Sequence, residues 1–249
     1  MSAPADRIST GLMLVLSFGT GVLDAATYLG LHGVFTANMT GNVVFVGLGI
    51  ADDGSVPLLR ASLALAGFVV GATVIGLVQR GRQVQRNRDT VAAVTFLVAG
   101  LLVAGTAAAL WRGDLSELVL DAVTGVIAFA MGAQAVAARR VGVGDVSTVV
   151  VTSTLAGMAA EAPWTGGGSD GRTTLRRAAA VVSMGGGAVA GAFLLHLGIA
   201  VPVALSAGLL LVVGTVGVAR VGRARRRDRI AAAAGFAGQP DERVRRPVS

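Results

Sequence analysis

Cysteine and lysine are absent from this chain, histidine occurs twice, and charged residues make up only 14%. Without cysteine there is no disulfide framework and no thiolate metal site. Two histidines do not make a histidine-rich metal centre. Soluble domains carry roughly 25% charged residues, so the low share excludes an ordinary water-exposed surface. All 21 basic residues are arginine, and the pI is near 11.5. Such a value suggests nucleic acid, but the arginines lie between apolar runs, where the positive-inside rule accounts for them. Also missing are a Ser/His/Asp set and paired catalytic carboxylates. The Gly185-Gly186-Gly187 run is no nucleotide loop, because no strand precedes it and no Lys-Ser/Thr follows. No enzyme activity, no cofactor, no metal and no nucleic-acid partner are therefore expected. The N-terminus has mixed charge at Asp6 and Arg7 ahead of a long apolar run, unlike a cleaved signal peptide.

What is present is apolar: 53% hydrophobic residues and a mean hydropathy of +0.72. Eight apolar runs follow one another, at residues 10–31, 33–51, 58–79, 91–111, 118–138, 141–162, 178–197 and 199–219. Most approach the ~20 residues that a membrane helix requires. Residues 1–9 form a polar lead, 10–220 one transmembrane domain, and 221–249 a basic cytoplasmic tail expected to be disordered.

The arginines reject eight crossings. Residues 80–88 hold four, 139–140 two, 172–177 three and 220–229 six, while the segments 52–57, 112–117 and 198 hold almost none. The positive-inside rule assigns all four basic segments to the cytoplasm. Eight crossings cannot put them on one side. If the runs 33–51 and 141–162 instead enter and leave on one face, the conflict disappears. The expected fold is all-α and polytopic, with six spanning helices, two re-entrant or half-length helices and both termini cytoplasmic.

These two runs also belong to similar stretches. Residues 18–51 read FGTGVLDAATYLGLHGVFTANMTGNVVFVGLGIA, and residues 129–162 read FAMGAQAVAARRVGVGDVSTVVVTSTLAGMAAEA. Phe18 and Gly21 align with Phe129 and Gly132, and Thr40-Gly41-Asn42 with Thr152-Ser153-Thr154. The halves, about 10–111 and 115–219, then form an inverted-topology repeat, an arrangement that puts discontinuous helices near the bilayer midplane.

The pattern GVLDAATYL…GVFTANMTGNVV followed by GAQAVAARR…VSTVVVTSTLAG resembles the YoaK family of bacterial inner-membrane proteins, over residues 12–220. The Asn-Met-Thr-Gly-Asn block carries most of the likeness. In the second block Ala135 stands where that family commonly has Asn, and Ser153 where it commonly has Gly. The resemblance implies a domain that crosses the inner membrane about six times, and no settled activity.

Polar groups at membrane depth are costly and face a bundle interior or a water-filled cavity. The candidate binding residues are accordingly Asp24, Asn38, Thr40, Asn42, Gln134, Thr152 and Thr154. Asp24 is an ion or proton site, or else an acid capping the next segment. Asn38 and Asn42 share a helix face at i, i+4 and offer amide oxygens to a solute, or else bond neighbouring helices. Gln134, Thr148, Thr152, Ser153 and Thr154 are the matching set in the second half, and His32 closes the first span. The function this favours is a secondary transporter or channel-like permease for a small solute or cation, with its site where the two polar broken-helix segments meet. The alternative is a non-transporting membrane scaffold or sensor. The expected partners are the lipid bilayer and an unknown small solute or cation, and homo-oligomerisation is open.

Overall fold

The computed structural model describes residues 3–31, 33–51, 56–80, 87–113, 115–141, 151–161 and 171–237. Eight α-helices run through them: α1 (Ala3–Gly30), α2 (Met39–Ala51), α3 (Leu58–Val78), α4 (Arg88–Leu110), α5 (Glu117–Val141), α6 (Val151–Ala160), α7 (Gly171–Leu194) and α8 (Ala200–Ala237). A single 3-10 turn, Leu195–Leu197, joins the last two. Six of the helices are long and apolar enough to cross a bilayer. The other two, α2 with 13 residues and α6 with 10, are too short to do so at ~1.5 Å per residue. They are the two segments that the arginine distribution withdraws from the crossing set.

Two boundaries differ from the sequence reading. The helix α1 starts at Ala3 rather than after residue 9, with Pro4 in its first turn, where a missing N–H costs nothing. The helix α8 continues through the expected tail to Ala237. Arginine and the Ala231–Ala234 run are strong helix formers, and they outweigh the polar character that suggests disorder.

Packing is interleaved between the halves. Extensive contacts join α1 to α7, α3 to α5, and α4 to α8, with further contacts of α5 on α4 and α8 on α1. Inside each half, α2 lies on α3 and α6 on α7. Lipid offers no hydrophobic drive for helix association, so close van der Waals approach must supply it, and small residues permit that approach. A Cβ at Gly21 would fall on the Met184 carbonyl oxygen, and one at Gly187 on that of Phe18. In the α3–α5 pair the same contacts recur: Gly132 meets the Phe68 carbonyl and Gly71 that of Phe129. Phe18 and Gly21 thus play on α7 the part that Phe129 and Gly132 play on α3. The relation extends further: a Cβ on Gly67 would crowd the Gly125 carbonyl, and at the equivalent place Ser183 Oγ donates to the Leu14 carbonyl at 2.8 Å. Between α4 and α8 the contacts are reciprocal, Gly100 against Leu211 and Gly214 against Leu97.

These contacts fix directions. Residues pair in rising order between α1 and α7 and between α3 and α5, so those pairs are parallel. They pair in opposed order between α4 and α8, and between α1 and α8, where Gly19 meets Leu209 and Gly30 meets Ile199. One end of the bundle therefore gathers the starts of α1, α4 and α7 and the ends of α3, α5 and α8. Arg80, Arg88, Arg139, Arg172, Arg176, Arg177 and the arginines of 220–227 all lie there. At that end Arg225 donates to Asn87 Oδ1 at 2.7 Å and to Thr90 Oγ1 at 3.1 Å, tying α8 to the start of α4.

The opposite end has Arg60 and Arg112 among the described residues. Arg60 sits at the start of α3 with its side chain 12% exposed, and donates to Glu117 and, at 2.5 Å, to Asp121 on α5. Its charge is thus matched where the chain enters the apolar layer.

Candidate functional site

The first half builds a compact polar knot where α1 ends. Leu31 N–H still bonds the Thr27 carbonyl, and Gly33 N–H bonds that of Tyr28, both at 2.9 Å. Gly33 then adopts φ +80°, which glycine reaches without a Cβ penalty. The chain turns back there and lays residues 34–38 beside α1 before α2 begins at Met39.

Three side chains pin this returning segment. Asp24 Oδ1 accepts the backbone N–H of Thr36 at 3.0 Å and of Ala37 at 2.8 Å. Asn42, on the first turns of α2, grips Phe35 from both sides: its Oδ1 accepts the Phe35 N–H at 3.1 Å and its Nδ2 donates to the Phe35 carbonyl at 2.5 Å. The Thr27 and Thr36 hydroxyls lie 3.4 Å apart, and Thr27 also bonds the Asp24 carbonyl at 3.3 Å. Such partners are what non-helical backbone needs at membrane depth, where no water can replace them. Outside the knot, Tyr28, Phe35 and Phe45 stack with centroids 4.8–6.3 Å apart. Asp24 lies six residues from Gly30, about 9 Å from that helix end at the usual rise, so the knot sits toward the arginine-poor end.

A second polar place lies deeper, between α1, α5 and α8. Gln134 is 2% exposed there and borders a small cavity of ≈ 10 Å³, about the room of one water molecule, with Thr20, Leu23, Met131 and Ser206. Ser206 Oγ donates across to the Gly19 carbonyl at 3.1 Å, and Thr20 Oγ1 donates to the Leu16 carbonyl at 2.9 Å. Among the described residues three buried side-chain oxygens have no hydrogen-bond partner: Asp24 Oδ2, Gln134 Oε1 and Gln79 Oε1.

The seven candidate residues thus fall into different surroundings. Asp24 and Asn42 are buried and share the knot, and Gln134 is buried in the separate cavity. Asn38 and Thr40 are exposed: Asn38 precedes the helix, so the face expected to join it to Asn42 is broken between them. Thr152 is exposed and Thr154 half-buried on α6, which packs chiefly on α7, and there is no extensive packing of α2 against α6. His32 and Thr148 lie outside the described residues. With Phe18 and Gly21 set against Phe129 and Gly132, Gln134 falls opposite Leu23 and Ala135 opposite Asp24, so no acid stands at that place in the later stretch. Thr27, Thr20 and Ser206 are not singled out by the sequence. Thr27 follows Asp24 by three residues, one helical turn, which is the available signal. An open groove of about 610 Å³ between α4 and α8, flanked by Trp111 and Arg112, contacts none of the seven.

Six helices long and apolar enough to span, with two half-length helices packed on α3 and α7, define a polytopic α-helical membrane protein. The chain belongs to the family described as protein of unknown function (DUF1275), which matches residues 12–216. It is 31% identical over 158 residues to the UPF0700 transmembrane protein YoaK of Bacillus subtilis (strain 168), an alignment covering 64% of this chain and 68% of that protein. No solved structure matches it.

Proposed function

We propose that the protein is a non-enzymatic secondary transporter or channel-like permease for a small solute or cation, built as an inverted-topology repeat and open to alternate sides. The observation that carries this reading is the exchange of contacts between the halves: three contacts of α1 on α7 recur at equivalent places between α5 and α3, and the mates α4 and α8 run antiparallel. Mates of opposite direction are what an inverted repeat requires, and rocking one half on the other is how such folds expose a central site alternately. The half-length helices and the bare acceptors at Asp24 and Gln134 fit a cationic or hydrogen-donating substrate.

The expected result in sealed vesicles is uptake of a screened solute or cation by the wild type, abolished by Gln134→Leu, which removes the deep acceptor without touching the knot. Absence of flux across a broad panel would favour the other reading, a scaffold or sensor. That alternative draws on the cavity beside Gln134, too small in this conformation for an organic solute.

The arginine-rich end is assigned to the cytoplasm of the bacterial inner membrane. Because the chain has no cysteine, single cysteines report the topology cleanly. Asn87→Cys and Arg172→Cys are expected to label only from inside, and Arg112→Cys only from outside. Labelling of positions 87 and 172 from opposite sides would overturn the arrangement.

A further inference from the structure

We infer that Asp24 is a proton-binding site whose ionised form latches the first hairpin, so that taking up a proton frees the segment 34–38 from α1. The carboxylate divides its work between two oxygens. Oδ1 carries the backbone N–H bonds of Thr36 and Ala37, and the Asn38 N–H also points to the carboxylate, while Oδ2 is buried without a hydrogen-bond partner among the described residues. A bare carboxylate oxygen inside a membrane protein is among the costliest groups to bury.

The bare oxygen needs an occupant, and the surroundings select it. Metal cations take several oxygens at once. Here Oδ1 is committed to two amides and the Thr27 and Thr36 hydroxyls to each other. No group of three His, Cys, Asp or Glu that could hold an ion occurs among the described residues. A proton requires one oxygen only. The neighbours of α1 before Asp24 are Ser206 and Leu209 beside Gly19, Met184 and Ala188 beside Gly21 and Gly191 beside Val22; beyond it Thr36 meets Thr27, and Leu195 and Ile199 stand beside Gly30. None of them is charged or titratable, and the described ion pairs engage Arg60 and Arg177 at helix ends.

The coupling follows from hydrogen-bond strength. Two N–H donors on an ionised acceptor are roughly twice as strong as on a neutral one. A proton from bulk water added to Oδ2 leaves the neutral acid, with Oδ1 a weaker acceptor for Thr36 and Ala37. The latch therefore holds above the titration of Asp24 and loosens as pH falls through it. This deepens the transport reading by naming the proton as coupling ion, and rests on that reading for its purpose but not for its test.

The test uses full-length protein in lipid nanodiscs and needs no transport. Infrared difference spectra across pH are expected to contain the C=O stretch of a protonated carboxylic acid that appears on acidification and is lost in Asp24→Asn. In parallel, Ala37→Cys reports opening of the latch, its thiol chemistry corrected by the same cysteine in the Asp24→Asn background. The ratio of labelling rates, with Asp24 intact over the Asp24→Asn background, is expected near unity at low pH and about tenfold lower at high pH. Absence of the band at every pH where the protein stays folded would overturn the proposal, as would a ratio indifferent to pH. A ratio that follows sodium concentration at fixed pH would overturn it in favour of a metal cation. Should Ala37→Cys disturb the fold, the infrared arm on the cysteine-free wild type decides alone. Failure of the vesicle uptake assay with the band present would remove the transporter and leave the proton site.

Discussion

Alanine at Gly187 is expected to part α1 from α7, whereas alanine at Gly186, one residue away, is expected to leave the protein intact. The two glycines stand in one run of three, yet only Gly187 faces a neighbour: its added Cβ would land on the Phe18 carbonyl, while nothing lies within 4 Å of a Cβ on Gly185 or Gly186. Backbone on both sides cannot yield as a flexible side chain would, so the cost should be about 3 kcal/mol or more, at the upper end of overpacking effects. Gly186→Ala should unfold at or slightly above the wild-type temperature, since alanine is the better helix former by about 1 kcal/mol. Gly71→Ala, at the equivalent place against Phe129, should behave as Gly187→Ala does. Thermal unfolding in detergent, followed by size exclusion, measures all three. Equal tolerance at 186 and 187 would contradict the close α1–α7 approach.

The second large effect is expected at Asn42. Alanine there removes both bonds to Phe35 and leaves a half-buried N–H and C=O without these partners. Each such group costs roughly 1–3 kcal/mol. Asn38→Ala and Thr40→Ala, both on exposed side chains, should stay within about 0.5 kcal/mol of wild type. Chemical unfolding of the purified variants separates the cases. A greater loss from Asn38 than from Asn42 would mean that the hairpin is held differently.

Much of this fold is legible because arginine is so unevenly distributed. Four basic segments admit one arrangement with six crossings, and the two helices too short to cross are the ones that this distribution removes. The knot is half legible. Asp24 has two readings, ion site or cap; in the structure its Oδ1 accepts the Thr36 and Ala37 amides just ahead of α2, and its Oδ2 has no partner among the described residues. The shared face of Asn38 and Asn42 does not form, because the spacing presumes a helix through a point where the chain is still returning along α1. Nor does any pattern announce that Gly187 seeks the Phe18 carbonyl while Gly186 seeks nothing. Small residues permit close approach, but the choice of partner is made by the tertiary arrangement.

The interleaving of the halves bears on how the protein is made. When a ribosome has synthesised only the first four helices, α1 and α3 are already in lipid with their grooves for α7 and α5 vacant. Final assembly must wait for the remainder of the chain. A nascent intermediate of this kind holds its early helices loosely, at the mercy of insertion machinery and quality-control proteases. It follows that two separately expressed fragments, cut between α4 and α5, would each be short-lived alone and would rescue one another when produced in the same cell.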